Sequence, residues 1–403
     1  MESKQLDEKS EAHKPIVTVL GYPSKPTSMG GLRWLKRVVD HIEEKRIFCV
    51  RKVANDRIIA SRINKDRIVA WTFFSLIDDI LDALKALFTS PDIVILDTYG
   101  EANLVLWVLL RLFRRKVRIL SVFHHYETTP IALETKSNNN KFSRIFCMYY
   151  NYLVEYAFKK MIKNSDRIIT VSVSSKHQLY TLCGLSEDDI SKKVSVVGAS
   201  VDPIPISSNN KEKDIDFLCV GRINKFEGIE KIWELVIEKK LKANFVMIGK
   251  ASKIEIDKLR KLGIDHRGIV PENEKFNLYQ RAKVFLFPSA REGFGMAVAE
   301  ALAAGLAVIA WKIPVFEELY SNYNDDNNND DELCKFKRIT LIKQWDYKSF
   351  AEEASNALNN RSNANIETVN NKVSKTKGCF DIKTWKDVGD GVMRVLEGMS
   401  ING

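Results

Sequence analysis

Two glutamates flank a Gly-Phe-Gly turn in the stretch Val284–Gly305, and these residues are the ones best suited to chemistry in this chain. An apolar run that ends at Pro288 predicts a strand, and an alanine-rich run after the turn predicts a helix. A glycine-bearing loop that opens a helix offers free backbone N–H groups and the positive end of the helix dipole to an anion. Glu292 and Glu300 lie on either side, where carboxylates accept paired hydrogen bonds from vicinal hydroxyls. A solvated Glu300 is the plainer alternative, but the agreement of strand, turn and helix favours a site for a ligand with phosphates and a diol.

Three further positions follow predicted strands, at the edge where the ligand sites of α/β proteins lie. Arg222 follows the run Asp216–Gly221, and its guanidinium is suited to clamp a diphosphate. His124 ends an apolar run, and Gly30 with Gly31 follow the first predicted strand. Each position has a plainer alternative: a surface arginine, a buried histidine that satisfies a polar contact, and an ordinary turn. The residues alone leave these alternatives open.

Short apolar, β-branched runs alternate with longer amphipathic stretches along the chain. This alternation predicts parallel sheets covered by helices on both faces, so the fold class is α/β, with one sheet in each half. Helices are predicted over stretches such as Leu32–Lys45 and Tyr149–Lys163. The predicted strands are Ile16–Tyr22, Asp92–Leu96, Val117–Phe123, Arg167–Ser172, Val194–Val197, Asp216–Gly221, Asn244–Gly249, Lys283–Pro288, Leu306–Trp311 and Ile339–Ile342.

The chain has 403 residues, which is more than one hydrophobic core usually supports, so two domains are expected. Two prolines and a polar run after Asp202 mark a linker. A run rich in Asn and Asp, Ser321–Glu332, predicts a long surface loop. We expect a flexible leader over 1–14, a first domain over 15–200, a linker over 201–212, a second domain over 213–375 and a last helix within 376–403.

The overall charge favours anionic partners, because 62 Lys and Arg face 52 Asp and Glu, for a formal net charge of +10. No run approaches the roughly 18 consecutive apolar residues of a membrane span, and the polar N-terminus is unlike a secretory signal. The six cysteines are scattered without metal-ligand spacing, so we expect reduced thiols in a cytoplasmic protein. No aromatic-basic or helix-turn-helix pattern supports nucleic-acid binding.

The region around the two glutamates resembles the E-x7-E donor motif of retaining, nucleotide-sugar-dependent glycosyltransferases of family 4, filled here by Glu292 and Glu300. The family's PS-x-x-E-G-F-G is similar to the run Pro288–Gly295, and its E-A-x-A-x-G is similar to the run Glu300–Gly305. Matching segments extend from Gly30 to the last helix, and the resemblance implies that the helix within 376–403 crosses back onto the first domain. The resemblance implies the GT-B fold, in which two Rossmann-like domains face a central cleft. It also implies a retaining glycosyltransferase, most simply a hexosyltransferase, that uses a nucleotide-diphosphate sugar as donor.

Roles for the second domain follow from this resemblance. Glu300 would bind the ribose diol of the donor nucleotide, and Glu292 would contact hydroxyls of the transferred sugar. Val270 would meet the nucleobase largely through its backbone, although a simple turn after a strand is an equal alternative for this loop. The loop residues whose backbone amides would face the sugar or the diphosphate are Gly293, Phe294 and Gly295.

The diphosphate contact contains one departure from the family pattern. By the resemblance, Arg222 would clamp the diphosphate together with a lysine just before the next glycine. That position holds Glu227, and a glutamate beside a pyrophosphate is repulsive. Lys225 lies two residues earlier and is the expected substitute.

The first domain would complete the site. The loop with Gly30 and Gly31 would lie near the donor phosphates and the acceptor, and His124 would contact the transferred sugar near the reaction centre. His125 and Glu127 would then shape the acceptor side, where a glycan or a lipid-linked acceptor binds.

The resemblance also implies a mechanism. The sugar would be transferred on one face, with the departing phosphate helping to deprotonate the acceptor, so that the protein contributes positioning and charge stabilisation. Because no metal-ligand spacing occurs in a suitable loop, we expect neither a metal nor another cofactor. Two alternatives stay open: a GT-B binding subunit without turnover, which Glu227 favours, and a nucleotide-sugar epimerase, for which no additional acid–base carboxylates are evident.

Two basic and apolar stretches, Leu104–Lys116 and Phe142–Lys163, suit the headgroup layer of an anionic membrane. The simpler interpretation of the first stretch is a core helix with basic residues in its last turn. Many members of the family that the chain resembles act on lipid-linked acceptors, which agrees with membrane contact. We therefore expect a cytoplasmic protein, with peripheral contact at the inner face of the membrane as an open expectation.

Overall fold

The computed structural model describes the chain as two compact units. The described residues of 1–199 and 383–403 form the first unit, and those of 200–382 form the second. The residues described are 14–23, 30–54, 68–97, 101–113, 116–125, 141–202, 213–223, 226, 228–239, 243–321, 339–363 and 383–400. Most of the predicted leader, linker and Asn- and Asp-rich loop lies outside these ranges.

The first unit is built on a six-stranded parallel sheet. Its strands are β1 (Ile16–Tyr22), β2 (Cys49–Ala54), β3 (Ile93–Asp97), β4 (Arg118–Phe123), β5 (Arg167–Thr170) and β6 (Val194–Val196). They lie in the order β2-β1-β3-β4-β5-β6, so the strand order reverses between β1 and β3. The sequence does not predict β2, because Arg51 and Lys52 interrupt the apolar pattern of this edge strand.

Helices connect these strands: α1 (Gly30–Lys45), α2 (Ile68–Phe88), α3 (Glu101–Phe113), α4 (Lys141–Lys163), α5 (Val173–Cys183) and α6 (Glu187–Lys193). Serines begin the last two, since the side chains of Ser172 and Ser186 accept hydrogen bonds from backbone N–H groups of the first turn. The helix α1 begins at Gly30, two residues before the predicted start. Gly30 and Gly31 therefore form its first turn, whose N–H groups have no partner within the helix.

The second unit contains another six-stranded parallel sheet. Its strands are β7 (Ile215–Val220), β8 (Phe245–Ile248), β9 (Asp265–His266), β10 (Ala282–Phe287), β11 (Ala307–Lys312) and β12 (Ile339–Lys343). The order β12-β11-β10-β7-β8-β9 is that of a Rossmann-like sheet, in which the strand order reverses between β7 and β10. The prediction of two parallel α/β sheets is confirmed. The two-residue β9 is too short to be recognised as a hydrophobic run.

The helices of the second unit are α7 (Ile229–Glu238), α8 (Lys253–Lys261), α9 (Glu272–Arg281), α10 (Met296–Ala303), α11 (Pro314–Tyr320) and α12 (Tyr347–Asn363). Between sheet and helices lies a core rich in large aromatic side chains, including the fully buried Phe217, Phe245 and Trp311. Burying such a side chain contributes about 1.5–3 kcal/mol relative to leaving it in water. This core gives the strand ends at the sheet edge a rigid base.

The last helix, α13 (Trp385–Ser400), packs against α1 in the first unit. Val388 and Leu396 are buried, and His41 Nε2 donates to Asp390 Oδ1 at 2.7 Å. That hydrogen bond holds the pKa of Asp390 below its usual range. Among the helices of the described residues, none has both the length and the apolar composition that crossing a membrane requires.

Candidate functional site

The Gly-Phe-Gly turn joins β10 to α10 at the carboxyl edge of the second sheet. Gly295 is the N-cap residue of α10 and has a φ of +79°, which favours glycine. A Cβ on this residue would lie 2.4 Å from Cε1 of Phe316, so a larger residue would displace that ring. Gly295 has no side chain to cap the helix, and the amide of Val298 already donates to the carbonyl oxygen of Gly295 at 2.9 Å. The amides of Met296 and Ala297 are therefore the ones placed to meet an external acceptor.

Glu300 lies one turn into α10 and is buried, with 2% of its surface exposed. The alternative in which this glutamate faces solvent is therefore wrong. Lys275 Nζ donates to Glu300 Oε1 at 2.9 Å, and the hydroxyl of Tyr279 donates to Oε2 at 3.1 Å. The same hydroxyl lies 3.2 Å from the carbonyl oxygen of Ala297. Charge pairing and hydrogen bonding from α9 thus hold a buried carboxylate next to the open start of α10.

Glu292 is half-buried in the loop before α10. The hydroxyl of Ser289, which is itself buried, donates to Glu292 Oε1 at 2.8 Å. From the end of β12, Gln344 Nε2 donates to the carbonyl oxygen of Ala290 at 3.0 Å. These bonds fix the loop and the direction of the carboxylate. Ser289 and Gln344 are site residues that the sequence interpretation missed.

Arg222 follows β7 and is half-buried. Its backbone is positioned by two glycines, because Gly221 at the end of β7 packs directly on Gly249 at the end of β8. A Cβ on Gly249 would lie 1.8 Å from the carbonyl oxygen of Gly221, and the φ of Gly249 is +134°. Lys225 and Glu227 lie outside the described residues, so the roles predicted for them at the diphosphate remain predictions.

The loop with Val270 leads from β9 into α9. Val270 is half-buried and packs against the core of the second unit, and the amide of Gly249 donates to the carbonyl oxygen of Gly268 at 2.8 Å. One turn into α9 stand Lys275 and then Tyr279, the two partners of Glu300. The loop predicted to receive the base is therefore continuous with the helix that holds Glu300.

The sheet topology brings these loops to one edge. The strand order reverses between β7 and β10, and the carboxyl ends of parallel strands at such a point are where α/β proteins bind ligands. Arg222 follows β7, and the loop with Glu292 and Gly295 follows β10. Arg222 and the loop with Glu292 and Gly295 thus lie on adjacent strand ends, whereas Val270 follows β9 at the edge of the sheet.

In the first unit, His124 follows β4 and has 5% of its surface exposed. His124 Nε2 lies 3.4 Å from Oδ2 of the buried Asp97, which ends β3, and its ring meets the ring of Trp34 edge-on at 5.4 Å between centroids. His124 therefore has a buried polar contact and also lies at the carboxyl edge of the sheet. The first turn of α1 follows β1 in the sequence. His125 is also buried, and Glu127 lies outside the described residues.

Within the described ranges, no cluster of three or more His, Cys, Asp or Glu side chains has a geometry that could hold a metal ion. Of the cysteines described in full, Cys183 and Cys219 are buried and Cys49 is half-buried, all as free thiols. Burial raises the pKa of the Cys183 thiol to about 11, so this residue is inert as a nucleophile at neutral pH.

The family match of this chain lies in the second unit. Residues 201–368 match the family model described as Glycosyl transferases group 1. The O-antigen chain mannosyltransferase RfbU of Salmonella typhimurium is 29% identical over 207 residues, which are 49% of this chain and 55% of that protein. An N,N'-diacetylbacillosaminyl-diphospho-undecaprenol alpha-1,3-N-acetylgalactosaminyltransferase of Campylobacter jejuni is 26% identical over 189 residues, which are 43% of this chain and 50% of that protein. The chain spans about half the length of these curated relatives.

The likeness to solved structures extends over the whole chain. The sucrose-phosphate synthase of Thermosynechococcus elongatus is similar over 97% of this chain and 100% of that chain, with a TM-score of 0.66 and 12% sequence identity. At that identity the likeness shows the fold alone, which is the GT-B fold of two Rossmann-like units. The residues that match the Glycosyl transferases group 1 model, 201–368, lie in the second unit of this fold.

Proposed function

We propose that this chain is a retaining glycosyltransferase that moves a hexosyl group from a nucleotide-diphosphate sugar to a hydroxyl of a glycan or lipid-linked acceptor. The observation that carries the proposal is the buried carboxylate of Glu300 beside the uncapped start of α10. The two oxygens of a carboxylate are hydrogen-bond acceptors side by side, which suits a vicinal diol. Two relatives, a mannosyltransferase and a transferase named for a diphospho-undecaprenol compound, support the transfer of a hexosyl group and a lipid-linked acceptor.

Each residue has a role in this proposal. Glu300 accepts from the ribose diol, and Glu292 accepts from hydroxyls of the transferred sugar. Backbone amides of the loop before α10 and the guanidinium of Arg222 stabilise the diphosphate as its negative charge grows. Val270 contacts the base through its backbone. The remaining proposed contacts to the donor are made by Gly293, Phe294 and Gly295 in that loop, by Lys225, and by Gly30, Gly31 and His124 of the first unit.

A donor screen tests the proposal. UDP-, GDP- and ADP-sugars are added to the protein, and thermal stabilisation and release of the nucleoside diphosphate are measured without a metal ion and with one. We expect one donor to stabilise the protein and to be hydrolysed slowly, with binding weakened about tenfold or more in Arg222→Ala, since a charge-assisted contact contributes about 1.5–3 kcal/mol. A matched control is Arg260→Ala, which replaces an exposed arginine of α8.

Three other results would each contradict the proposal. Binding of a donor without turnover, in the presence of extracted lipids and glycans, supports the binding subunit. Conversion of the sugar to its epimer with the nucleotide still attached supports the epimerase. No stabilisation by any donor or free nucleotide removes the nucleotide site itself.

We further propose that α4 contacts the surface of an anionic membrane. The helix exposes a stripe of large side chains along one face, with Tyr149 and Tyr152 more than 60% exposed, and Lys160 stands over the ring of Tyr156. On α3, which packs against α4, Leu112 and Phe113 are also exposed. Tyrosine and lysine side chains are suited to the headgroup layer, where the ring is half-immersed and the charge meets anionic lipid. The exposed residues of the stripe are Ile145, Met148, Tyr149, Tyr152, Leu153 and Tyr156.

Vesicle sedimentation tests this contact. We expect the protein to bind vesicles that contain about one-third anionic lipid, to bind neutral vesicles weakly, and to dissociate at high salt. The triple variant Tyr149→Ser/Tyr152→Ser/Tyr156→Ser should lose most of this binding. Tyr180→Ser, which replaces an exposed tyrosine of α5, is the control and should bind like the wild type. Equal binding of the triple variant and the wild type would overturn the assignment, as would dimers in solution that the triple substitution converts to monomers.

A further inference from the structure

Lys275 has no role in the family pattern that the sequence resembles, yet it makes a close charged contact to the proposed ribose-binding residue. Its Nζ lies 2.9 Å from Glu300 Oε1, and the lysine side chain is only 12% exposed. We propose that Lys275 positions Glu300 for the ribose diol and links this contact to the loop that receives the base. The inference rests on the proposed function and deepens it.

Lys275 stabilises the buried, charged carboxylate of Glu300. This side chain is 2% exposed, and a buried carboxylate without a partner is unfavourable by several kcal/mol. The ammonium group of Lys275 offsets this cost before any ligand arrives. The carboxylate therefore stays in place as an acceptor when the site is empty.

The two donors from α9 also set the orientation of the Glu300 carboxylate. Lys275 takes one lone pair of Oε1, and the hydroxyl of Tyr279 takes one lone pair of Oε2 at 3.1 Å. These two donors fix the directions in which the two carboxylate oxygens point. Two oxygens side by side match the two hydroxyls of a ribose and not the single hydroxyl of a 2′-deoxyribose. The pair of donors from α9 thereby sets the preference for the diol.

Lys275 is also connected, through the start of α9, to the loop that is proposed to receive the base. Pro271 is the N-cap residue of α9, and the backbone amide of Lys275 donates to its carbonyl oxygen at 2.9 Å. Val270, the proposed base contact, immediately precedes Pro271. Lys275 is also close to its own helix turn, with Nζ 3.7 Å from Glu272 Oε1 and 4.8 Å from the ring centre of Phe276. A shift of the base loop is therefore transmitted to the lysine that holds Glu300.

The alternative is that the Lys275–Glu300 pair only fastens α9 to α10. The two explanations differ in one measurable ratio. If the pair is only a fastening, removing it lowers stability but leaves the preference for ribose over deoxyribose unchanged. If Lys275 positions Glu300, removing it reduces that preference.

The experiment is calorimetric titration of the full chain with UDP, GDP and ADP and with dUDP, dGDP and dADP. In the wild type we expect one ribonucleotide to bind at least tenfold more tightly than its deoxy counterpart. Lys275→Met should weaken that ribonucleotide about tenfold or more and bring the ratio to within about threefold of one. Lys275→Arg, which keeps the charge, should retain most of the preference. Lys283→Met is the matched control, because Lys283 forms a 2.7 Å ion pair with Asp216 in the same unit.

An unchanged ratio in Lys275→Met, with or without lower thermal stability, would overturn the inference. Lys275→Gln keeps a hydrogen-bond donor and serves in place of the methionine variant if that variant does not fold, with the same ratio deciding. Failure of the proposed function is distinguishable, because the wild type itself would then bind none of the six nucleotides.

Discussion

Replacing Glu300 with alanine is expected to abolish measurable binding of the donor and of its nucleoside diphosphate. The substitution removes the proposed acceptor of the ribose diol and leaves the ammonium group of Lys275 without this partner in a mostly buried position. Removing one member of a buried ion pair costs about 3–5 kcal/mol, which would also lower the midpoint of thermal unfolding. Calorimetry with the nucleoside diphosphate measures the first effect, and urea unfolding measures the second.

Two variants separate binding from stability. Glu300→Gln keeps the size of the side chain and should weaken binding of the nucleoside diphosphate less than alanine does. Glu317→Ala removes a half-exposed glutamate that pairs with Lys312 at 2.9 Å in the same unit, and it should change neither affinity nor stability appreciably. Binding of the donor by Glu300→Ala within about twofold of the wild type would show that the diol lies elsewhere.

Replacing Gly249 with alanine is expected to destabilise the second unit and to weaken donor binding together. The new Cβ would lie 1.8 Å from the carbonyl oxygen of Gly221, and the φ of +134° is strained for any residue with a Cβ. Because the obstacle is backbone, relief requires that the end of β7 moves, and Arg222 moves with it. We expect a loss of about 2–4 kcal/mol in the free energy of unfolding.

The matched control for this prediction is Gly263→Ala. Gly263 also has a positive φ, +72°, but a Cβ there would meet no atom within 4 Å. This substitution should lower the free energy of unfolding by about 1 kcal/mol, from backbone strain alone, and should leave nucleotide binding unchanged. Equal losses for the two variants in urea unfolding would mean that the contact between Gly221 and Gly249 contributes nothing beyond strain.

The sequence predicts most of the fold because the central strands are buried on both faces. Runs such as Ile93–Asp97 and Phe245–Ile248 are fully buried, so their apolar character is continuous and easy to recognise. The edge strand Cys49–Ala54 is different, because it carries basic side chains that an exposed edge tolerates. The pair Asp265–His266 is polar and too short to show a pattern.

Candidate site residues can be recognised in the sequence where they are neighbours or where they follow a predicted strand. Glu292 and Glu300 share one strand-turn-helix segment, so their spacing carries information. Lys275 and Tyr279 come from another helix and meet Glu300 through tertiary packing. Their separation of four residues places them on one face of α9, which is the signal that could have drawn attention to them.

Asp97 carries the same sequence signal as His124, because each is a polar residue directly after an apolar run. It follows the apolar run Asp92–Leu96 directly, just as His124 follows its own strand, and both side chains are buried at the same sheet edge. A polar residue at the carboxyl end of a parallel strand is a site candidate whatever its type. The roles of Lys225 and Glu227 remain predictions from the sequence, since both residues lie outside the described part of the chain.

The placement of α13 has a consequence for how the chain reaches its native state during synthesis. This helix packs against α1, with Gly389 and Asp390 at His41, but it leaves the ribosome only after every residue of the second unit. The apolar face of α1 therefore emerges more than 330 residues before its cover. At translation speeds of about 5–20 residues per second, the interval lasts roughly 15–70 seconds. During this time the second unit can fold as an uninterrupted segment, whereas the first unit remains incomplete and exposes a surface that chaperones recognise.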